Sequence, residues 1–187
     1  MINRVGEFEK VSFQQFLADM KSTFYENNED DLNRAETQIS LTCKTPMIRE
    51  IYDAIKLPLR ATERSAGNDI RTPLAFTLKA GESMKIPTGL RVKIDDGWFL
   101  ACFPKSGLGF KYRLQLDNTI GIIDGDYYDS KNEGHIFLKI TNDSREGKTV
   151  SFEKGTGVAQ GVFMMYGITY SDNADGKRDG GFGSTGS

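Results

Sequence analysis

The chain has 187 residues, which suits one medium-sized domain with a hydrophobic core and a short appendage. Its 24 basic and 26 acidic residues give a net charge of -2, which argues against nucleic-acid binding through the overall field. No stretch approaches the roughly 20 apolar residues that span a bilayer. The N-terminus also lacks the apolar run of a secretory signal. We therefore expect a cytoplasmic protein with no membrane partner.

The cysteine and histidine content narrows the chemistry. Two cysteines and one histidine, His135, are too few for a disulfide framework or a zinc site. Hydrolysis built on a histidine base is nearly excluded, so catalysis must use carboxylates, hydroxyls, amides and bound cations. Cys102 lies in an apolar run, WFLACF, and is expected to be a small buried hydrophobic residue.

Residues 1–56 predict a helical extension. Ser12 and Gln15 have the spacing of a capping box at the head of an amphipathic segment, VSFQQFLADMKSTFY. The acidic run that follows, ENNEDD, is typical of a solvated loop or helix end. A second helix is predicted in PMIREIYDAIKL, where four apolar residues share one side: Ile48, Ile51, Tyr52 and Ile55.

From Leu57 onward the apolar residues alternate instead of following a helical period. LRVKI (90–94) and HIFLKIT (135–141) alternate, and Asp96-Gly97 predicts a hairpin before WFLACF. Many short strands with glycine punctuation predict an all-β core at 57–172, either a β-barrel or a jelly roll. Residues 173–187 are rich in glycine, serine and aspartate, and predict a flexible C-terminal arm.

Five short glycine-containing segments stand out. In chain order they are SAGND (65–69), PKSGLG (104–109), NTIGIIDGDY (118–127), GTGVAQ (155–160) and RDGGFGSTG (178–186). Each one alone is typical of a tight turn. Together, and in this order, they resemble the five motifs of the trimeric deoxyuridine triphosphatase (dUTPase) family, from about residue 55 to the C-terminus. The resemblance implies a dUTPase-like jelly-roll core, with the helical N-terminal region outside it and the arm closing over the active site.

The same resemblance implies hydrolysis of dUTP to dUMP and pyrophosphate, which limits uracil incorporation into DNA and supplies dUMP. Asp124 matches the catalytic aspartate, the base for a water that attacks the α-phosphorus, and such a base contributes about 10²–10⁴-fold. Without the resemblance, Asp124 and Asp126 would be read as a polar turn. Gln160 matches a glutamine expected to hydrogen-bond the phosphates or the attacking water.

Residues of the third segment match the contacts to the nucleoside. Tyr127 matches a tyrosine whose ring packs against the deoxyribose and leaves no room for a 2′-hydroxyl. Asn118 matches the residue that reads the uracil edge, where an amide offers both a donor and an acceptor. Backbone groups from Gly121 to Ile123 are expected to complete the base pocket. A packed core aromatic is the alternative interpretation of Tyr127.

The phosphate contacts follow from the first two segments. Ser106 and Gly107 resemble a phosphate-binding turn, and Lys105 stands where the family usually has arginine. Lysine keeps the charge but loses planar, bidentate recognition. Asp69 matches an aspartate that faces Mg²⁺ through water, so Mg²⁺ is expected to be held mainly by the substrate phosphates. An Asx turn at 67–69 is compatible with that role.

The tail supplies the remaining contacts that the resemblance implies. Phe182 is expected to lie over the uracil ring, and either Lys177 or Arg178 to contact the γ-phosphate. An arm that orders on the nucleotide would exclude water from the site. Further donors to the γ-phosphate are expected from three neighbouring residues: Gly183, Ser184 and Thr185.

The family assembly is a homotrimer with active sites between subunits. The resemblance implies that segments one, two and four come from one chain, the third from a second chain and the tail from the third. The expected partners are therefore dUTP and two further copies of the chain, with no direct binding of nucleic acid.

Two other functions compete with hydrolysis. Deoxycytidine triphosphate deaminases are similar in pattern, but they place a glutamate where this chain has Lys139, and a cation cannot act as that base. A non-catalytic nucleotide sensor is the second alternative, since the N-terminal extension and YDSKNEG (128–134) could bind proteins. We favour the interpretation in which both segments pack as stabilising elements.

Overall fold

A computed structural model of the protein describes residues 2–26 and 45–176. The helices are α1 (Phe13–Lys21), α2 (Thr45–Asp53) and α3 (Ser106–Tyr112), with a π-helical turn at Ser22–Glu26 and a 3₁₀ turn at Gly125–Asp129. The strands are β1 (Gly6–Lys10), β2 (Leu59–Arg60), β3 (Asn68–Arg71), β4 (Phe76–Leu78), β5 (Ser83–Pro87), β6 (Leu90–Ile94), β7 (Trp98–Pro104), β8 (Leu114–Leu116), β9 (Gly121–Ile123), β10 (Phe137–Asn142), β11 (Val150–Phe152) and β12 (Gly157–Met165). From residue 57 onward strands predominate, as the alternating pattern predicts.

The strands form antiparallel sheets around one core. The largest sheet has the order β2-β3-β12-β7-β9, and β5-β10-β8 form a second sheet. Two further pairs are β1-β6 and β4-β11. Alternate residues of these sheets meet in a single hydrophobic cluster, where the rings of Phe76 and Phe152 lie 4.8 Å apart. Antiparallel sheets packed face to face in this way form the jelly-roll core that the sequence predicts.

The hairpin predicted at Asp96-Gly97 is wrong as a paired ladder. The turn itself is present: the Trp98 N–H donates to the Asp95 carbonyl at 3.2 Å, and Gly97 has a φ of 80°. However, β6 pairs with β1, whereas β7 pairs with β12 and β9. The two strands separate after the turn because the N-terminal strand supplies the partner of β6.

The N-terminal extension therefore contains a strand as well as the predicted helices. In β1, Phe8 pairs with Val92 of β6 and reaches the core. Phe16 and Met20 of α1 are almost fully buried, and each such side chain contributes about 1.5–3 kcal/mol on burial. Ile48 of α2 is also buried, so the predicted apolar side of the second helix faces the core.

The start of α1 is capped by a residue far along the chain. The Ser12 hydroxyl accepts from the Gln15 N–H at 3.1 Å, which is half of the predicted capping box. In a complete capping box the Gln15 side chain would accept from the Ser12 N–H, but here the Gln15 amide donates to Asp19. The Glu133 carboxylate takes that position: it accepts from the Ser12 N–H at 2.6 Å and from the Ser12 hydroxyl at 2.7 Å.

The 128–134 segment packs on the extension within one chain. Besides the Glu133 contacts, the Tyr128 hydroxyl donates to Glu9 of β1 at 2.8 Å. The Arg91 guanidinium lies 3.5 Å from the centre of the Tyr128 ring, in cation–π contact. These contacts fit the interpretation of both segments as stabilising elements.

Within the described residues, no helix has the length and apolar character to cross a membrane.

Candidate active site

The neighbouring strands β3, β12 and β7 gather, at one end of the largest sheet, three residues that the resemblance assigns to the phosphates, the attacking water or Mg²⁺. Gln160 of β12 lies between Asp69 of β3 and Phe103 of β7. The Lys105 ammonium, just after β7, donates to Asp69 Oδ1 at 2.7 Å. The exposed fractions of these two side chains are 34% and 18%, so the pair is half-buried. The arrangement places a cation, a carboxylate and an amide on one surface, which we call the phosphate edge.

Two glycines make room for these side chains. A Cβ added at Gly67 would overlap the Gln160 amide oxygen. A Cβ at Gly157 would lie 3.2 Å from the Lys105 ammonium. Glycine at these two positions, one in the first segment and one in the fourth, therefore leaves space for the side chains of Gln160 and Lys105 at the phosphate edge.

The interpretation of residues 67–69 as an Asx turn is wrong. Asp69 lies on β3, which is held extended by pairing with β12. The side chain of Asn68 donates across the sheet to the Gly161 carbonyl at 3.2 Å instead of closing a local turn.

The second segment forms a short helix rather than a simple turn. Lys105 precedes α3 in an extended conformation, and Ser106 and Gly107 occupy the exposed first turn. The first turn of a helix leaves backbone N–H groups without helical partners, which is the property that the predicted phosphate contacts need. Sequence reasoning missed α3 because two glycines in seven residues disfavour a helix.

A cavity of about 480 Å³ lies beside β9, at the opposite side of β7 from the phosphate edge. Its volume is within the range of small-molecule sites. Four residues predicted to contact the nucleoside line it: Asn118, Gly121, Ile123 and Tyr127. Ile122, within the predicted Gly121–Ile123 stretch, also lines it, and the rest of the lining was not predicted: Cys102, Leu116, Asp117, Phe137, Leu138 and Lys139. We call this space the nucleoside cavity.

The cavity wall at Gly121 is tightly packed against Cys102. Gly121 pairs with Cys102 of β7, and an added Cβ would lie 3.2 Å from the Cys102 Cβ and 3.7 Å from the Asn118 amide nitrogen. Cys102 is fully buried, and burial raises its pKa to about 12. Its thiol therefore stays protonated and forms an apolar wall, as the sequence predicts.

Tyr127 is both a packed aromatic residue and a wall of the nucleoside cavity. Its hydroxyl donates to the His135 carbonyl at 2.7 Å and accepts from the Asn132 amide at 2.8 Å. Its side chain is buried, at 5% exposure. The two interpretations of Tyr127 are compatible, because packing fixes the ring that the cavity presents.

His135 is fully buried and both of its ring nitrogens are engaged. The Gly89 N–H donates to Nε2 at 2.7 Å, so Nε2 carries the lone pair and Nδ1 carries the proton. That proton faces Asp19 Oδ2 at 2.5 Å. The lone histidine thus has a structural position, in agreement with a chemistry that does not use a histidine base.

Asp124 lies far from the phosphate edge within one chain. It follows Ile123, which pairs with Leu100, whereas Gln160 pairs with Phe103 at the other end of β7. At about 3.3 Å per residue, the two positions differ by about 13 Å along β7 and by two strand spacings, about 10 Å, across the sheet. A single chain therefore keeps the predicted base apart from the predicted phosphate contacts.

Lys139, the position that separates hydrolysis from deamination, faces the nucleoside cavity. Its ammonium lies 3.1 Å from Asp117 Oδ2. Asp117 also accepts a hydrogen bond from the Thr141 hydroxyl.

In the described part of the chain, no three histidine, cysteine, aspartate or glutamate side chains are grouped so that they could hold a metal ion.

Six predicted site residues lie outside the described residues and stay predictions: Lys177, Arg178, Phe182, Gly183, Ser184 and Thr185.

Comparison with known proteins identifies the family. Residues 53–186 match the family model described as dUTPase. The deoxyuridine 5′-triphosphate nucleotidohydrolase of Lactococcus lactis is 42% identical over 135 residues, which is 71% of this chain and 89% of that protein. The chain belongs to the dUTPase family. The resemblance drawn from the five segments is therefore confirmed.

Solved dUTPase structures share the fold. The dUTPase from Streptococcus mutans is 38% identical, with a TM-score of 0.54 over 60% of this chain and 88% of that one. A dUTPase of the Staphylococcus bacteriophage 80alpha, solved with dUPNHPP, is 23% identical, with a TM-score of 0.53 over 71% and 92% of the two chains. At that identity the phage protein is similar in fold alone.

Proposed function

We propose that this dUTPase hydrolyses dUTP to dUMP and pyrophosphate, which limits uracil incorporation into DNA and supplies dUMP. The observation that carries the proposal is the nucleoside cavity, which collects five third-segment residues in a chain 42% identical to a deoxyuridine 5′-triphosphate nucleotidohydrolase. The cytoplasm stays the expected location.

The nucleoside cavity would hold uracil and deoxyribose. The Asn118 amide has the donor and the acceptor that the O4 and N3–H edge of uracil requires. Gly121 would keep this wall of the cavity thin, since a Cβ there would lie 3.2 Å from the Cys102 Cβ. The fixed ring of Tyr127 would lie against C2′ and exclude a ribose hydroxyl.

The phosphate edge would hold the triphosphate. The Lys105 ammonium would exchange part of its contact with Asp69 for phosphate oxygens, and Ser106 and Gly107 would add hydroxyl and backbone donors. A single carboxylate, Asp69, suits Mg²⁺ that is bound through water and held mainly by the phosphates. When bound, Mg²⁺ would neutralise charge that develops on the phosphate oxygens.

Asp124 would act as the general base. It takes a proton from a water whose oxygen attacks the α-phosphorus, while the bond from that phosphorus to the bridging oxygen breaks and pyrophosphate leaves. Gln160 would hydrogen-bond the water or the phosphates. A positioned carboxylate base contributes about 10²–10⁴-fold to such a step.

A homotrimer would join the two halves of the site. The separation of Asp124 from Gln160 within one chain is supported by their strand register, so a second subunit would bring its nucleoside cavity to the phosphate edge. The tail of the third chain would close the site. Sedimentation should give a trimer, and a stable monomer with full activity would contradict this part of the proposal.

Pyrophosphate release tests the activity directly. Purified protein with Mg²⁺ should release pyrophosphate from dUTP far faster than from dCTP, dTTP or UTP. Ammonia release from dCTP serves as the test for deamination, and we expect none because the Lys139 cation occupies the position where a base is needed. The absence of pyrophosphate release from dUTP would contradict the proposed function and favour a nucleotide sensor.

A further inference from the structure

The position of the Tyr127 ring depends on the segment that follows it. The Tyr127 hydroxyl donates its one proton to the His135 carbonyl and accepts from the Asn132 amide. Both partners therefore lie at 132–135, so the position of the hydroxyl end of the Tyr127 ring is set by that segment.

The backbone of this segment has a conformation that needs support. Glu133 and Gly134 are both left-handed, with φ values of 57° and 67°. Glycine adopts this conformation readily, but a residue with a Cβ is disfavoured there and persists only when its surroundings hold it. The turn would relax if those surroundings were lost.

The N-terminal extension supplies that support at two points. Asp19 of α1 holds the His135 imidazole at 2.5 Å, and the Asp19 side chain is only 17% exposed. Glu133 receives both the N–H and the hydroxyl of Ser12, at 2.6 and 2.7 Å. Hydrogen bonds to a carboxylate are short and strong. The two from Ser12 to Glu133 and the one between Asp19 and His135 therefore tie residues 133 and 135, on either side of Gly134, to the first helix.

We propose that Asp19 and Glu133 are positioning residues that set the sugar specificity of this dUTPase, by connecting α1 to Tyr127. The inference rests on the proposed function, in which the Tyr127 ring excludes the 2′-hydroxyl of a ribonucleotide. A ring that shifts by a fraction of an ångström makes room for that hydroxyl, and misplacement by about 1 Å can change rates by about 10²-fold. The N-terminal extension then contributes to substrate choice as well as to the core.

The test compares kcat/KM for dUTP with kcat/KM for UTP in the full-length protein with Mg²⁺. Asp19→Ala should lower this ratio about tenfold. A displaced Asp124 would slow both nucleotides together, so only a change at the sugar moves the ratio. Asp19→Asn should restore the ratio to within about twofold, because the amide oxygen still accepts from the His135 Nδ1–H.

Two further variants separate positioning from stability. Val150→Ala removes a buried side chain from β11, which pairs with β4, and should lower the melting temperature while leaving the ratio unchanged. Ser12→Ala removes one of the two hydrogen bonds to Glu133, and should lower the ratio about threefold even if Asp19→Ala does not fold.

The outcomes are distinct. A folded Asp19→Ala protein with an unchanged ratio overturns the positioning role, as does an unchanged ratio in Ser12→Ala when Asp19→Ala fails to fold. A wild-type protein that releases no pyrophosphate from dUTP overturns the proposed function itself, and the positioning role with it.

Discussion

The nucleoside cavity and the phosphate edge are built in different ways. The cavity lining is buried at some positions, such as Cys102 and Leu138, and exposed at others, such as Asn118 and Ile122, and the Tyr127 hydroxyl is held by two hydrogen bonds. The phosphate edge is half-exposed and depends on one ion pair, Lys105 with Asp69. Under the proposed function, one chain supplies the cavity around the base and sugar, to which the tail would add Phe182, whereas Asp124 and the phosphate contacts would come from different chains.

The largest effect is expected at Asp124, the proposed general base, which lies outside both the phosphate edge and the lining of the nucleoside cavity. Asp124→Asn should lower kcat about 10²–10⁴-fold and leave dUTP affinity, measured by calorimetry, nearly unchanged, because the amide keeps the shape but cannot take the proton. Asp126→Asn, two residues further along, is the matched control and should keep near-normal turnover. An unchanged kcat in Asp124→Asn would remove it from the proposed role.

The next effect tests whether the phosphate edge is incomplete. Truncation after Gly176 should preserve the circular dichroism spectrum but lower kcat/KM about 10²-fold, as happens when donors to a developing charge are removed. Truncation after Gly183 keeps Phe182 but removes the last hydroxyls, and should have an intermediate effect. Kinetics equal to those of the full chain would mean that the tail is only a spacer.

A smaller effect tests the rigidity of the nucleoside cavity. A Cβ at Gly134 would lie 2.7 Å from the Tyr127 carbonyl and 2.8 Å from the Tyr128 Cα. Gly134→Ala should therefore lower the free energy of unfolding by about 1–3 kcal/mol and raise the KM for dUTP. Urea denaturation and steady-state kinetics measure the two.

The matched control is Gly147→Ala. Gly147 has nearly the same φ, 68°, but nothing lies within 4 Å of an added Cβ. It should show only the conformational cost, about 1 kcal/mol, and an unchanged KM. If the two variants behaved alike, the close packing at Gly134 would have no role in shaping the cavity.

The smallest effect is expected at the phosphate edge itself. Lys105→Arg should leave the KM for dUTP unchanged or lower it, because arginine keeps the charge and adds bidentate phosphate recognition. Lys105→Met, which removes the charge, should raise KM and make it less sensitive to salt. A large loss of affinity in Lys105→Arg would show that the contact with Asp69 needs the compact ammonium.

The family resemblance assigned roles within single segments, and it did not extend to the cavity walls that come from other strands. It assigned Asn118 and Tyr127 to the nucleoside because both lie in one short segment, NTIGIIDGDY. Cys102, Phe137 and Lys139 line the same cavity but come from β7 and β10, which are brought together only by the sheets. Alternation in HIFLKI separates two faces without showing that one of them borders a cavity.

The missed elements have similar causes. The strand β1, GEFEK, has mixed polar and apolar residues, and it becomes a strand through pairing with β6 some 80 residues later. That pairing also explains the wrong hairpin, since turn chemistry is local and the choice of partner is not. The helix α3 forms despite two glycines because its neighbours, rather than its propensity, decide the conformation.

The cap on α1 has a consequence for the order of folding. Ser12 and Glu133 are separated by 121 residues, so the two hydrogen bonds from Ser12 to Glu133 cannot form until most of the chain has been synthesised. Contacts across long loops form late, because closure entropy opposes them until neighbouring structure is in place. We therefore expect the jelly roll to form first and the extension to dock last. In refolding experiments, rejection of ribonucleotides should then appear more slowly than native β-structure.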